Sequence, residues 1–173
     1  MDDLIKSMSD KITSYNLFNN LFPGAVFCAL LNEYTRLNIA SSNIVEQLFV
    51  WYFVGMIISR IGSIIVENLL KAIKIGNKEF ISFADYDKYT LAAEKKPHLK
   101  TMSEINNTYR TVISLLCCFG VVYFFDILFF DWVKLKLANA EYWIMGTGII
   151  FLIALFVFSY RKQTAYIKNQ VEG

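Results

Sequence analysis

Apolar residues fill four stretches of this 173-residue chain, and polar residues gather between them. Residues 111–130 and 143–160 are almost free of charge, and residues 45–66 are apolar except for Arg60. Residues 21–39 form a weaker stretch, whose apolar character fades toward its end. Because a helix needs about 20 mostly apolar residues to cross a bilayer, the pattern predicts an all-α, four-helix transmembrane protein with a single membrane domain.

Apolar residues also recur at helical spacing before the first stretch, with charged residues between them. Residues 1–20 are therefore predicted to form an amphipathic helix that lies in the headgroup layer of the membrane. Pro23 and Gly24 follow, and a proline fits the first turn of a helix while restricting the residue before it. Together with Asn19 and Asn20, the pair predicts an elbow between the interfacial helix and the first span. The alternative is a proline kink within one long helix.

Residues 67–110, between the second and third spans, are predicted to form a short helical cap. We expect the second span to continue as far as Gly76, since glycine is common just past a helix end. The Thr101–Glu104 segment has the spacing of a capping box, which predicts the start of the third long helix. A short helix is expected over 86–95, ahead of Pro97.

The distribution of positive charge predicts the orientation of the chain. With four spans, the two termini and the cap lie on one side of the membrane, and they carry thirteen of the 17 lysines and arginines. Cytoplasmic segments of membrane proteins are enriched in these residues. Both termini and the cap are therefore expected in the cytoplasm. The net charge of +2 is too small to indicate nucleic-acid binding by itself.

The composition supports a membrane protein and argues against several other classes. Hydrophobic residues make up 55% of the chain and charged residues 18%, proportions that are unusual for a water-soluble domain. The N-terminus has two acids and no basic region ahead of an apolar core, so a cleaved signal peptide is not expected. Three cysteines and one histidine do not make a convincing metal site. We find no catalytic constellation in the sequence and expect neither an enzyme nor a bound cofactor.

Arg60 is the first candidate for a functional residue, because a charge inside a span is costly and usually faces protein, a partner charge or water. It lies near enough to the cytoplasmic end to snorkel or to pair with Glu67; the alternative is an aqueous path in an oligomer. Gly55, Ser59 and Ser63 repeat every four positions, and small residues let helices approach closely. They pack either within one subunit or around a symmetry axis. In the second case Ser59, Arg60 and Ser63 are pore or gate candidates.

Cations cluster in the cap and on the helix that follows it. Such clusters bind phosphates, but the positive-inside tendency supplies the same residues, and they also contact anionic lipid. A phosphate-cradling glycine-rich loop is absent from the sequence. The ligand-binding candidates are Lys71, Lys74, Lys95, Lys96, Asn106 and Arg110, of which the last two lie one helical turn apart.

Two short motifs resemble those of a known group of membrane proteins. The segments YNLFNNLFPGAVF and INNTYRTVISLL, joined by a basic cytoplasmic connection, resemble small four-span proteins of bacterial anti-phage defence loci. The similarity is to the channel-forming effector of the Hailong system and to the membrane subunit of the Kiwa system. The first implies a homotetrameric ion channel in the bacterial inner membrane, held shut by an oligodeoxyadenylate that a partner nucleotidyltransferase makes. The second implies a tetrameric sensor that recruits a soluble DNA-binding partner.

Two functions are therefore expected, and a third has less support. The first is a homo-oligomeric channel gated from the cytoplasm by a nucleotide or oligonucleotide at the cap, since four spans per subunit enclose no pore alone. The second is a non-conducting membrane anchor or sensor that docks a cytosolic partner on the cap. A transporter or membrane enzyme comes third, because no carboxylate lies at the midplane of a predicted span.

Overall fold

The structure is a computed structural model that describes residues 17–76, 78–81, 83–136 and 140–172. The interfacial helix predicted for residues 1–20 lies almost entirely outside the described residues. The elements, in chain order, are a π-helical turn π1 (Leu17–Leu21), α1 (Phe22–Tyr34), α2 (Ile44–Ile61), a second π-helical turn π2 (Gly62–Val66), α3 (Glu67–Ala72), β1 (Lys74–Ile75), β2 (Lys78–Glu79), α4 (Tyr86–Lys95), α5 (His98–Lys136) and α6 (Ala140–Glu172).

Within the described residues, two helical segments are long and apolar enough to cross a membrane, and this part of the chain is mainly helical, as predicted. Ile44–Ala72, which combines α2, π2 and α3, has 29 residues, and His98–Phe129 of α5 has 32 residues. Ile44–Ala72 contains the predicted span 45–66, and His98–Phe129 contains all but the last residue of the predicted span 111–130. Their length and composition agree with the prediction of membrane-spanning helices at these two places.

The first and fourth predicted spans do not reach the same criterion among the described residues. α1 has 13 residues and ends at Tyr34, before the predicted end of the span at residue 39. Together with π1, which runs directly into it, the helical segment covers residues 17–34 and extends about 27 Å, slightly less than the roughly 30 Å of a hydrocarbon core. The predicted span 143–160 lies inside α6, several of whose side chains are outside the described set. Four crossings therefore stay a prediction.

The predicted elbow at Pro23 and Gly24 is not observed. π1 runs directly into α1, and Leu21, the residue before α1, already has helical dihedral angles (φ −63°, ψ −50°). Proline has no N–H, and its ring crowds the carbonyl group four residues earlier. The wider π1 turn accommodates both effects. Over residues 17–34 the chain follows the alternative, one helix that is distorted next to its proline.

Gly24 and Gly55 allow α1 and α2 to touch through their backbones. A Cβ atom on Gly24 would overlap the carbonyl oxygen of Trp51 and would lie 2.7 Å from the backbone nitrogen of Gly55. A Cβ atom on Gly55 would in turn overlap the carbonyl oxygen of Asn20. Close contact through small residues is typical of helices that pack inside membranes. The glycine of the Pro-Gly pair is thus explained by packing rather than by a turn.

The buried core is small and lies where α1, α2 and α5 meet. Its apolar centre consists of Phe27, Leu31, Ile58 and Leu115. α6 packs against α2 and π2. Many large apolar side chains of α2, α5 and α6 remain exposed in the single chain. Apolar surfaces of this extent suit lipid or neighbouring subunits rather than water.

The cap agrees with the prediction in its middle and differs at both ends. α4 matches the short helix predicted over 86–95. Gly76 (φ +64°) forms the turn between β1 and β2 and does not end a helix, because α3 ends four residues earlier. α5 begins at His98, so the Thr101–Glu104 segment lies inside the helix and is not its capping box. The carbonyl of Pro97 already accepts a hydrogen bond from the N–H of Lys100 at 3.1 Å.

Candidate functional site

A polar cavity lies between the cap and the apolar core. Its volume is ≈ 470 Å³, and its walls come from π1, α2, π2, α3, α4, α5 and α6, so residues that are distant in sequence meet there. Concave sites with convergent polar groups are the usual places for ligands. Among the described residues that line it, the charged ones are the cations Arg60, Lys71, Arg110 and Lys162 and the single acid Glu67.

Glu67 is at the centre of these charges. Its side chain is mostly buried, and Lys71 Nζ and Arg110 Nη1 each lie 2.7 Å from a different oxygen of its carboxylate. Lys162 Nζ lies 3.3 Å from the oxygen that Arg110 also contacts. One carboxylate therefore holds cations from α3, α5 and α6. Because the cations outnumber it, the cavity keeps a positive potential.

Lys162 attaches α6 to the cavity. Its Nζ donates to the backbone carbonyl oxygen of Ser63 at 2.8 Å and lies 3.0 Å from the Ser63 hydroxyl oxygen. Burial lowers the pKa of Lys162 below its ordinary value, and the cations of Arg110 and Lys71 lower it further, whereas Glu67 acts in the opposite direction. The ammonium group is held by its acceptors although its surroundings disfavour the charge.

Asn19 connects three helices at the inner side of the cavity. Its Nδ2 donates to Ser59 Oγ at 2.9 Å, and Thr111 Oγ1 donates to its Oδ1 at 2.7 Å. Asn19, Ser59 and Thr111 are all buried. Nearby, Ser114 Oγ donates to the carbonyl oxygen of Ile58 at 2.9 Å. Buried polar groups that satisfy one another favour a single arrangement of the helices that carry them.

Several polar groups of the cavity are available to a ligand. Arg110 Nε and Ser159 Oγ are buried and have no hydrogen-bond partner within the described part of the chain. Arg60 is exposed and forms no ion pair with another described residue. Buried polar atoms are normally hydrogen-bonded. An anionic ligand would supply acceptors to both arginines.

The wall of the cavity next to the start of α4 is aromatic. Phe83, Tyr86 and Tyr89 line it, and Lys71 Nζ lies 4.8 Å from the centre of the Phe83 ring. Aromatic rings stack with nucleic-acid bases, and neighbouring cations contact phosphates. The cavity thus combines two features that a nucleotide ligand requires.

The structure brings most of the predicted site residues together. The pore or gate candidates and half of the ligand candidates share this cavity: Ser59, Arg60, Ser63, Lys71, Asn106 and Arg110 all line it. The remaining ligand candidates, Lys74, Lys95 and Lys96, are exposed in β1 and at the end of α4, and they do not line it. Residues that were predicted in two separate groups therefore line one cavity.

Pairing of Arg60 with Glu67, one of the alternatives considered for this arginine, is not observed among the described residues, where Glu67 contacts other cations. Arg110 comes from α5 and Lys162 from α6, and both reach the carboxylate across the fold. The role of Asn19 as a buried connector was not predicted either. Lys162 carried a weak signal, since it lies two residues beyond the last predicted span, but no pattern in the sequence links α6 to π2.

No family model, curated protein or solved structure matches the chain, so the geometry of this cavity and its surroundings carries the functional argument.

Proposed function

We propose that the protein is a homo-oligomeric membrane channel of bacterial anti-phage defence, gated from the cytoplasm by a nucleotide or oligonucleotide that binds in the polar cavity. The observation that carries this proposal is the cavity of ≈ 470 Å³ in which cations surround one carboxylate beside an aromatic wall. The chain crosses the bacterial inner membrane four times, with both termini and the cap in the cytoplasm. The defence context comes from the resemblance of the sequence motifs.

Phosphate groups suit the charged half of the cavity. In the structure, Lys71 and Arg110 contact the carboxylate of Glu67. A phosphate group would offer them a second set of anionic oxygen acceptors. The buried Arg110 Nε, which has no described partner, is a free donor beside that position. A base stacked against Tyr86 or Tyr89 would complete the recognition.

Gating follows from the way the cavity is built. Its walls belong to helices that continue into the apolar part of the fold, and Lys162 links α6 to π2 across it. A ligand that binds one arrangement of these helices more tightly than another shifts the population toward that arrangement. Because phosphate and Glu67 compete for the same cations, the ligand would have different affinities for the two arrangements.

The oligomer is needed because four helices of one chain enclose no pore. Exposed apolar faces on α2, α5 and α6 provide surface for contacts with both lipid and further copies. The resemblance favours four subunits. Ser59, Arg60 and Ser63 line the cavity within one chain, so ligand binding would act on an ion path between subunits through the helix that carries them.

Ion flux from proteoliposomes tests the proposal, with a short oligodeoxyadenylate as the probe. Lys71→Gln should weaken the effect of the probe on flux by about fivefold, since one partly exposed cation contributes about 1 kcal/mol. Lys74→Gln is the matched control, because it removes the same charge three residues away but outside the cavity. Equal effects of the two variants would reject the cavity as the ligand site.

The second candidate function is a non-conducting membrane sensor that docks a cytosolic partner. Exposed apolar residues of the cap favour it, with Ile75, Phe80 and Leu91 each more than half exposed. The absence of flux from oligomeric, correctly folded protein, with and without the probe, would favour this function over the channel.

A further inference from the structure

An apolar groove lies between α2 and α6, separate from the polar cavity. It has a volume of ≈ 580 Å³ and is open to the surface of the chain. Its lining along α6 runs from residue 152 to residue 160, which corresponds to about 12 Å of helix. The hydrocarbon of one membrane leaflet is about 15 Å thick. The residues that line the groove are Phe53, Leu152, Ile153, Phe156, Val157 and Tyr160.

Arg60 lies on α2 between the groove residue Phe53 and the cap. It follows Phe53 by two helical turns, so both side chains lie on the same face of α2. Arg60 also lines the polar cavity, as does Ser159, the neighbour of the groove residue Tyr160. The groove and the cavity thus follow one another along α2 and α6, and an amphiphile whose chain fills the groove would have its head on the side of the Arg60 guanidinium group.

We infer that the groove binds an acyl chain of an anionic phospholipid whose phosphate group pairs with Arg60. This inference rests on the membrane placement in the proposed function, but not on conduction or on the nucleotide. The apolar walls of the groove extend over nearly the depth of one leaflet and would contact the acyl chain. Tyr160 lies at its end near the cap, where aromatic residues anchor proteins at the membrane interface.

Charge complementarity selects the anionic headgroup. Arg60 is exposed and has no counter-charge among the described residues, while the one acid of the adjoining cavity already holds other cations. A cation at the end of a span needs a partner, and the cytoplasmic leaflet is rich in anionic lipid. A zwitterionic headgroup carries its own cation beside the phosphate, so its attraction to Arg60 would be weaker.

The lipid would brace α6 against α2. The hydrogen bonds and ion pair of Lys162 hold α6 at the cavity end of this contact, and Leu155 is buried on the same helix. A chain in the groove would fill the remaining space beside Phe53. Anionic lipid content would then influence how firmly α6 is fixed.

Native mass spectrometry of the full-length protein, transferred from mixed micelles of phosphatidylglycerol and phosphatidylcholine, tests the inference. The unaltered protein should retain phosphatidylglycerol in preference to phosphatidylcholine. Arg60→Gln should reduce this preference about fivefold, the effect expected for one cation near a membrane surface. Lys88→Gln, which removes an exposed cation from α4, should leave the preference unchanged.

Ile153→Trp provides a second variant that keeps Arg60 and fills the groove. It should lower the retention of both lipids. An unchanged preference in Arg60→Gln, an equal loss in Lys88→Gln, or full retention in Ile153→Trp would overturn the inference. Retained lipid preference together with flux that ignores the oligodeoxyadenylate would refute the proposed function alone.

Discussion

Replacing Gly55 with alanine tests the backbone contact between α1 and α2. The new methyl group would overlap the carbonyl oxygen of Asn20 and lie 3.0 Å from the backbone nitrogen of Gly24. Both neighbours are backbone atoms, so no side chain can rotate away to make room. α1 and α2 must therefore move apart, and the packing of Phe27 and Ile58 between them loosens.

The magnitude follows from three contributions. Overpacking of a well-packed contact costs about 1–3 kcal/mol. Separation of the helices also strains the buried hydrogen bond from Asn19 to Ser59, and a buried polar group left unpaired costs about 1–3 kcal/mol. The higher helix preference of alanine offsets about 1 kcal/mol. Since the two costs overlap, we expect Gly55→Ala to lower the free energy of unfolding by about 2–3 kcal/mol.

Unfolding in mixed micelles with increasing denaturing detergent, followed by circular dichroism, measures this change. Gly120→Ala in α5 is the matched control, because a Cβ atom there meets nothing within 4 Å. The control should be neutral or gain up to about 1 kcal/mol. If Gly55→Ala unfolds at the same detergent fraction as Gly120→Ala, the backbone contact between α1 and α2 does not exist as described.

Two further substitutions probe the polar groups of the cavity. Glu67→Gln removes the carboxylate that binds Lys71, Arg110 and Lys162; it should cost about 2 kcal/mol, below the range for fully buried pairs because the cations are partly exposed. Added salt should recover part of this loss in an unfolding titration, and a salt-independent loss would contradict an electrostatic origin. Thr111→Val removes the hydroxyl group that donates to Asn19, and should cost about 1–2 kcal/mol. Thr108→Val, whose hydroxyl group donates only to the carbonyl of Glu104, should change unfolding far less; equal losses would show that the Asn19 contact contributes nothing.

The helical segments of this fold could be predicted because apolar periodicity is a local property. The span over 45–66, the span over 111–130 and the short helix at 86–95 all lie within helices of the structure. Signals that depend on a single residue were less dependable. Gly76 and Thr101 are residue types that are common at helix ends. In the structure, however, Gly76 lies in the turn of a β-hairpin, and α5 begins directly after Pro97, three residues before Thr101.

The cavity could be predicted only in part, since its members come from different helices. Ser59 and Ser63 were recognised from their spacing on one helix, Arg60 from its charge within a predicted span, and Asn106 and Arg110 from their spacing on another helix. That both sets face one space depends on how α2 packs against α5, which no local pattern encodes. The role of Glu67 was missed for the same reason, because two of its three cations reach it from α5 and α6.

The number of residues in the π2 turn determines which way the side chains of α3 face. A π-helical turn holds about one residue more than an α-helical turn, so loss of one residue within 62–66 would restore the regular repeat and rotate all of α3 by about 100°. Glu67 and Lys71 would then leave the cavity and face the surroundings, while the apolar surface of α2 stayed in place. The additional residue in π2 thus allows α2 to keep its apolar surface while α3, in the same continuous helix, directs Glu67 and Lys71 into the cavity.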